Sequence, residues 1–435
     1  MSSFILPPSS LPYGSTHLDF DPSPLEVKAI LRAKEMPALP DPQQAIAEAL
    51  RKAIASPPLA EVAKPGQRVT IVTSDVTRVT GSEVYLPVLV EELNRAGVAD
   101  DLITILIGTG AHRRQTTEEQ WRLVTPELWG RVQVMDHDSR DPQMLVDLGV
   151  SARGTPIVLN RAVVETDLLI LTGSITHHYH SGFTAGRKAV MPGVAAYDSV
   201  QANHSRLLNP EPGSGVNPNC RAGNLDGNPI HEEMLEAARK VNPAFLFNTV
   251  VNDQREIAAV FAGHWIEAHL AGCEFVNRHR RIPLPDGLAD LVITSAGGYP
   301  KDIEFYQAHK AVEFASYAVR DGGVIIAAVE CREGLGPHEF RSHFELGSVE
   351  AIEAQLRYRY RVPGGTAMAM LRKARRAHII LVTSLPEDDV RLMRCEPAPD
   401  LDTAIAMAVE HLGGRPSTYV LPEGNVTVPA PPSGH

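Results

Sequence analysis

Cysteine is scarce in this chain of 435 residues: the four that occur, Cys220, Cys273, Cys331 and Cys395, lie more than fifty residues apart. That spacing excludes a CxxC pair for zinc or for disulfide exchange and suits thiols kept reduced in a cytosol. Also missing is any apolar run near the ~20 residues that span a bilayer. The opening MSSFILPPSSLPYG has no basic start and an apolar part of three residues, too short for a secretory signal, so a cytoplasmic protein with no membrane partner is expected. Positive charge is not in surplus either. Lys and Arg number 41 against 52 Asp and Glu, a formal charge of −11, which argues against a nucleic-acid partner and for small-molecule work. Finally, no GxGxxG follows a strand, no HExxH occurs, and GFTAGRK at 182–188 fails the GxxxxGK[ST] pattern because Ala189 follows Lys188. Dinucleotide and nucleoside-triphosphate sites of the usual kinds are thereby disfavoured.

What is present is a globular composition, 43% apolar and 21% charged, in a chain long enough for two or three domains. Six short apolar, β-branched runs recur: VTIVTSD at 69–75, LITILIGTGAH at 102–112, LLILTGS at 168–174, LVITSAGG at 291–298, VIIAAVE at 324–330 and HIILVTS at 378–384. Their apolar character is continuous, which predicts strands covered on both faces, hence mainly parallel sheets flanked by helices: an α/β fold. Helices are predicted at 82–97, with Gly97 as a stop, at 231–241 and at 305–319. A Pro-, Gly- and Asn-rich loop fills 209–229, and the polar segment NRHRRIPLPDG at 277–287 reads as a boundary. The expected plan is an N-terminal domain over 1–278, a C-terminal domain over 285–412, a tail over 413–435, and a cleft between the domains.

In open α/β sheets ligands bind beyond the carboxyl ends of the strands. At those ends the sequence places Asp75 and Arg78, then His112, then His177, His178 and His180, and finally Lys301, Asp302, Gln307 and Lys310. Each has an ordinary explanation alone. A single loop histidine is usually solvated or structurally bonded, Asp75 could cap a helix, and Gln307 and Lys310, three apart, share a face as any solvated pair would. The coincidence at four strand ends points to a site. His178 and His180 in HxH spacing also admit zinc.

Taken together, SDVTR, GTGAHR, HHYHSGFTAGRK, VQANH and GGYPKDIEFYQAHK resemble the nickel-dependent lactate racemase family over roughly residues 15–415. The resemblance implies a 2-hydroxy-acid racemase or epimerase. In the family, a lysine ten residues after an acid/base histidine carries a tethered pyridinium-3-thioamide-5-thiocarboxylic acid mononucleotide, and a histidine sixteen further on ligates the nickel. Here His178, Lys188 and His204 keep those intervals. By the same resemblance His112 and His178 are the paired acid/base histidines, and Arg78, Gln307 and Lys310 hold the substrate carboxylate. Asp75, on the cofactor side, and Tyr306, on the substrate side, match residues lining the site. Cofactor-assembly proteins are the implied partners, together with a small 2-hydroxy acid.

The implied chemistry is proton-coupled hydride transfer. The Cα–H of a 2-hydroxy carboxylate is too weak an acid for one imidazole to remove. Taking the hydroxyl proton while a hydride moves to the cofactor gives a 2-keto acid, and returning hydride to the other face inverts the centre. Two readings compete with this one. A hydrolase or lyase would bind zinc through His178, His180 and His204, and a non-catalytic cofactor-binding protein would keep the site without turnover.

Overall fold

The computed structural model describes residues 10–430. The first nine residues of the segment read for a signal sequence, and the last five of the expected tail, lie outside the described residues. The chain forms two compact units, one of residues 35–207 and 217–278, the other of residues 10–34, 208–216 and 279–430.

The first unit is built on the β-branched runs. Val69–Ser74, Ile103–Gly108 and Leu168–Ser174 are strands of a six-stranded sheet in the order Ile257–Gly263, Phe245–Val251, Leu168–Ser174, Val69–Ser74, Ile103–Gly108, Gln133–Asp136. All neighbours are parallel except the hairpin of 245–251 with 257–263. Ile71, Val72, Ile105, Leu106, Ile170 and Leu171 are fully buried, as strands covered on both faces require. Against this sheet lies the helix Ser82–Arg95, which buries Tyr85, Leu86, Leu89, Val90 and Leu93 at helical spacing. Each such leucine contributes about 2 kcal/mol of apolar transfer. The Tyr85 hydroxyl ties the helix to two adjacent strands through Thr73 Oγ1 (2.9 Å) and Thr172 Oγ1 (3.0 Å). Gly97, at φ 90°, ends it: its N–H reaches Asn94 O, and that of Val98 reaches Leu93 O.

The second unit carries a six-stranded, wholly parallel sheet in the order Glu396–Ala398, His378–Val382, Val319–Ala328, Ala289–Ser295, Ser417–Leu421, Glu26–Ile30. The last two strands depart from the sequence-based plan. Residues 417–421, expected in a tail, pair on one side with 289–295 and on the other with 26–30, a stretch expected in the N-terminal domain. Val428–Ala430 likewise pairs with Arg281–Pro283. The reason is physical. STYVL is a buried β-branched segment too short to stand out beside a Pro-rich end, and an exposed sheet edge is covered by whichever strand the chain can return. The loop at 209–229 is divided as well. Residues 208–216 belong to the second unit, where Arg357 donates to Asn209 O (2.8 Å) and Gly213 N–H to Glu353 (2.8 Å), while 217–228 lead into the helix Pro229–Val241 of the first. Among the described residues no helix is long and apolar enough to cross a membrane.

Candidate active site

Three parallel strands of the first unit release the chain at one sheet edge, and each release carries predicted site residues. After 69–74, Asp75–Arg78 turns back with the Arg78 N–H on the Asp75 carbonyl (3.1 Å), leaving the Arg78 side chain exposed. After 103–108, His112 N–H closes a turn on Thr109 O (3.0 Å). The two turns meet, with His112 Nδ1 2.7 Å from Asp75 Oδ2. Asp75 is 3% exposed, and its other oxygen accepts from the Thr77 N–H (3.1 Å) and hydroxyl (2.5 Å). Burial pushes this carboxyl up, but the hydrogen bonds from His112 and Thr77, with the charge of Arg78, outweigh it, so the group sits below its ordinary range and is ionised.

After 168–174 the chain makes a two-stranded ribbon in which His177 pairs with Phe183 and His178 with Gly182. Gly182, at φ 79°, is required there: a Cβ would lie 2.4 Å from Asn224 O. The ribbon turns the His178 ring so that Nδ1 faces two main-chain donors, the N–H groups of His180 (3.2 Å) and Ser181 (3.1 Å). Burial, followed by the charges of Lys188, His180, His204 and Arg78, holds His178 well below its ordinary value. These groups therefore share one neighbourhood.

Lys188 lies in the single turn Gly186–Ala189, with Nζ 3.1 Å from Ser181 Oγ. Its neighbour Arg187 is 1% exposed and donates to Ser181 O (2.7 Å) beside His269. Burial first, and then Arg187 and Arg78, press Lys188 well below the usual ammonium range, which favours a free amine. Ala185, just upstream, adopts φ 58°, a conformation L-residues rarely accept; this local strain lies beside Lys188.

His204 sits in the last turn of the helix Tyr197–Ser205, where its Nδ1 meets the Val200 carbonyl one turn back (2.8 Å). A carbonyl only accepts, so Nδ1 carries the proton and Nε2 keeps its lone pair. Burial, with Lys188, brings its pKa down to about 4, and the ring stays neutral. A neutral imidazole oriented by a carbonyl on its other nitrogen is how proteins present histidine to a metal. The helix is fixed to the helix 229–241 by Asn203 Nδ2 on Ile230 O (3.1 Å) and by Arg206 on Glu233 (3.1 Å).

Tyr306, Gln307 and Lys310 belong to the second unit, on the first turns of the helix Phe305–Ala315 that follows 289–295. Lys310 Nζ reaches Gln307 Oε1 at 3.5 Å, and the Tyr306 ring packs edge-on against Phe340 at 5.1 Å. The histidines without an expected role have local partners: His177 Nε2 meets Asn277 Oδ1 at 2.9 Å, and His309 Nδ1 meets Tyr306 O at 2.7 Å. Among the described residues no three His, Cys, Asp or Glu side chains converge as a metal cage would require. His178, His180 and His204 therefore do not form the three-histidine zinc site.

Residues 13–215 match the family described as the lactate racemase N-terminal domain, and residues 285–428 match the lactate racemase C-terminal domain. The chain belongs to the lactate racemase family. It is 34% identical over 423 residues to the lactate racemase of Thermoanaerobacterium thermosaccharolyticum, covering 95% of this chain and 97% of that one. To the lactate racemase of Lactiplantibacillus plantarum it is 33% identical over 391 residues, covering 88% and 89%. The lactate racemase apoprotein structure from T. thermosaccharolyticum superposes with a TM-score of 0.87 at 33% identity, over 97% of this chain and 99% of that one. A Thermotoga maritima structure at 19% identity and TM-score 0.63, covering 92% of this chain and all of that one, shares the fold. Membership makes the chain an isomerase of the racemase class acting on a small molecule.

Within this lactate racemase family member, sequence reasoning did not find Ser181, Arg187, Thr77 or the Arg206–Glu233 pair. No local pattern marks them: each acts through a contact that only folding creates.

Proposed function

We propose that the chain racemises lactate or a closely related 2-hydroxy carboxylate, using nickel held in a pyridinium-3-thioamide-5-thiocarboxylic acid mononucleotide joined to Lys188. The observation that carries this reading is that a carboxylate-paired imidazole at His112 and a second imidazole at His178 follow strands of one sheet edge, while Lys188, an amine pressed toward its neutral form, and His204, with Nε2 presented, both act electrostatically on His178. These residues fit the group. A neutral amine is the nucleophile that a covalent tether would need, and the His204 imidazole would be the protein donor to the nickel. When bound, the nucleotide supplies the acceptor and donor of hydride.

The remaining work belongs to the chain. Through Nε2, His112 takes the hydroxyl proton of one enantiomer, and the Asp75 carboxylate steadies the imidazolium that forms. His178 serves the hydroxyl of the other enantiomer. Arg78 grips the substrate carboxylate with its guanidinium fork, and Tyr306, Gln307 and Lys310 are assigned to substrate binding. Cofactor-assembly proteins are the partners this reading requires.

The test is to incubate cofactor-loaded protein with L-lactate and with D-lactate, in ordinary and in deuterated water, and to follow enantiomers by chiral chromatography and deuterium by mass spectrometry. Inversion with the Cα hydrogen retained is expected. Deuterium at Cα would overturn hydride transfer, and failure to invert lactate or any other 2-hydroxy acid in a panel would overturn the function.

A further inference from the structure

The two histidines of the proposed acid/base pair meet opposite kinds of partner on the same ring nitrogen. At His112 the partner of Nδ1 is Asp75 Oδ2 at 2.7 Å, an ionised oxygen that can only accept. Nδ1 must then carry the proton, and in the neutral ring the lone pair lies on Nε2 of this half-exposed side chain. At His178 the partners of Nδ1 are the N–H groups of His180 (3.2 Å) and Ser181 (3.1 Å), which can only donate. A proton on that nitrogen would face two others head-on, so in the neutral ring it sits on Nε2.

A second proton on His178 is also opposed by its surroundings. Burial first, and then the positive charge of Arg78, disfavour it, and no carboxylate is hydrogen-bonded to this ring as Asp75 is to His112. The backbone builds this difference. Asp75 is held by Thr77, and the Ser181 N–H is held by a turn that Arg187 fixes through Ser181 O (2.7 Å).

We infer that the two histidines are inequivalent. Asp75 is a positioning residue that sets His112 as the resting proton acceptor through Nε2, and the main-chain N–H groups of His180 and Ser181 set His178 with its proton on Nε2, so that His178 acts as a base only after giving up both of those hydrogen bonds. The consequence for turnover rests on the racemase reading; the tautomers do not. Because enantiomers are equal in free energy, kcat/KM must be the same in both directions, so the inequality is visible in the rings and not in that ratio.

The experiment is two-bond 1H–15N correlation spectroscopy on full-length, cofactor-free protein labelled with 15N-histidine near pH 7.5, with signals assigned by loss in His112→Gln and His178→Gln. His112 should show the Nδ1–H pattern and His178 the Nε2–H pattern. Asp75→Asn should move His112 away from its pattern and leave His178 unchanged. The same tautomer in both rings, or an unaltered His112 in Asp75→Asn, would overturn the inference. In loaded protein, Asp75→Asn should lower kcat about 100-fold or more with KM within a few-fold, and Asp75→Glu should restore part of it. An unchanged kcat would refute the positioning role of Asp75. A wild-type protein that inverts nothing would refute the racemase reading and leave the tautomers standing.

Discussion

Glu233 is the sharpest place to test how the helix that presents His204 is held. The carboxylate is fully buried and accepts from Ser151 Oγ (2.8 Å), Thr155 Oγ1 (2.7 Å) and Arg206 Nε (3.1 Å). Arg206 caps the carboxyl end of Tyr197–Ser205, two residues beyond His204, and also donates to Arg153 O (2.6 Å) and Thr155 Oγ1 (3.0 Å). Glu233→Ala leaves two hydroxyls and a guanidinium without their acceptor. Removing one partner of a buried pair costs about 3–5 kcal/mol. The Arg206 side chain is 29% exposed and keeps two other bonds, so about 3 kcal/mol, the lower end, applies. For a unit of this size that is a fall of about 6–12 °C in thermal midpoint. Glu233→Gln keeps one acceptor and should lose roughly half as much, about 1–2 kcal/mol. The double variant Glu233→Met with Arg206→Met removes both charges and should be less damaged than Glu233→Ala. Differential scanning calorimetry reads the midpoints, and nickel retention in loaded protein reads the effect on His204. A Glu233→Ala midpoint within about 2 °C of wild type, or a double variant no better than the single, would refute the reasoning.

Other outcomes follow from the same structure. His137, His231 and His269 are held neutral by burial, down to about 4, 3 and 3. An unfolded chain protonates them near 6.5, so unfolding takes up protons between that value and about 4; stability should fall with falling pH there by about 1.4 kcal/mol per unit for each ring, and a thermal midpoint flat from pH 6.5 to 5 would contradict it. Lys188→Arg should yield protein whose intact mass shows no nucleotide adduct after expression with the assembly proteins; an adduct of unchanged mass would place the tether elsewhere. His204→Ala should lose nickel by elemental analysis, whereas His112→Ala and His178→Ala should keep it and lose turnover about 100-fold or more; nickel loss in all three would undo the division of roles. Leu89→Ala, at a fully buried position, should cost about 2–5 kcal/mol in chemical denaturation.

The six β-branched runs were legible as strands because covered parallel strands need no polar face, and their identity alone carries the signal. The hairpin strands Phe245–Val251 and Ile257–Gly263 and the short strands at 133–136 and 396–398 were not singled out. Glu26–Ile30 and Ser417–Leu421 carry no local mark of a shared sheet, because they pair with each other across nearly four hundred residues of chain. At the candidate site, Asp75, Arg78, His112, His178, Lys188 and His204 were legible from strand ends and from spacing within a family pattern. Ser181 and Arg187 were not: a serine hydroxyl 3.1 Å from an amine and a guanidinium on a carbonyl are products of packing.

By itself, then, the sequence determined the α/β character, the ionisable groups at the strand ends and the family, since periodicity, residue type and spacing survive without coordinates. Tertiary structure decided which nitrogen of each histidine is available. A histidine carries its proton on either nitrogen at little difference in energy, and only the partner placed opposite settles it: a carboxylate for His112, two main-chain N–H groups for His178, and a helix carbonyl for His204.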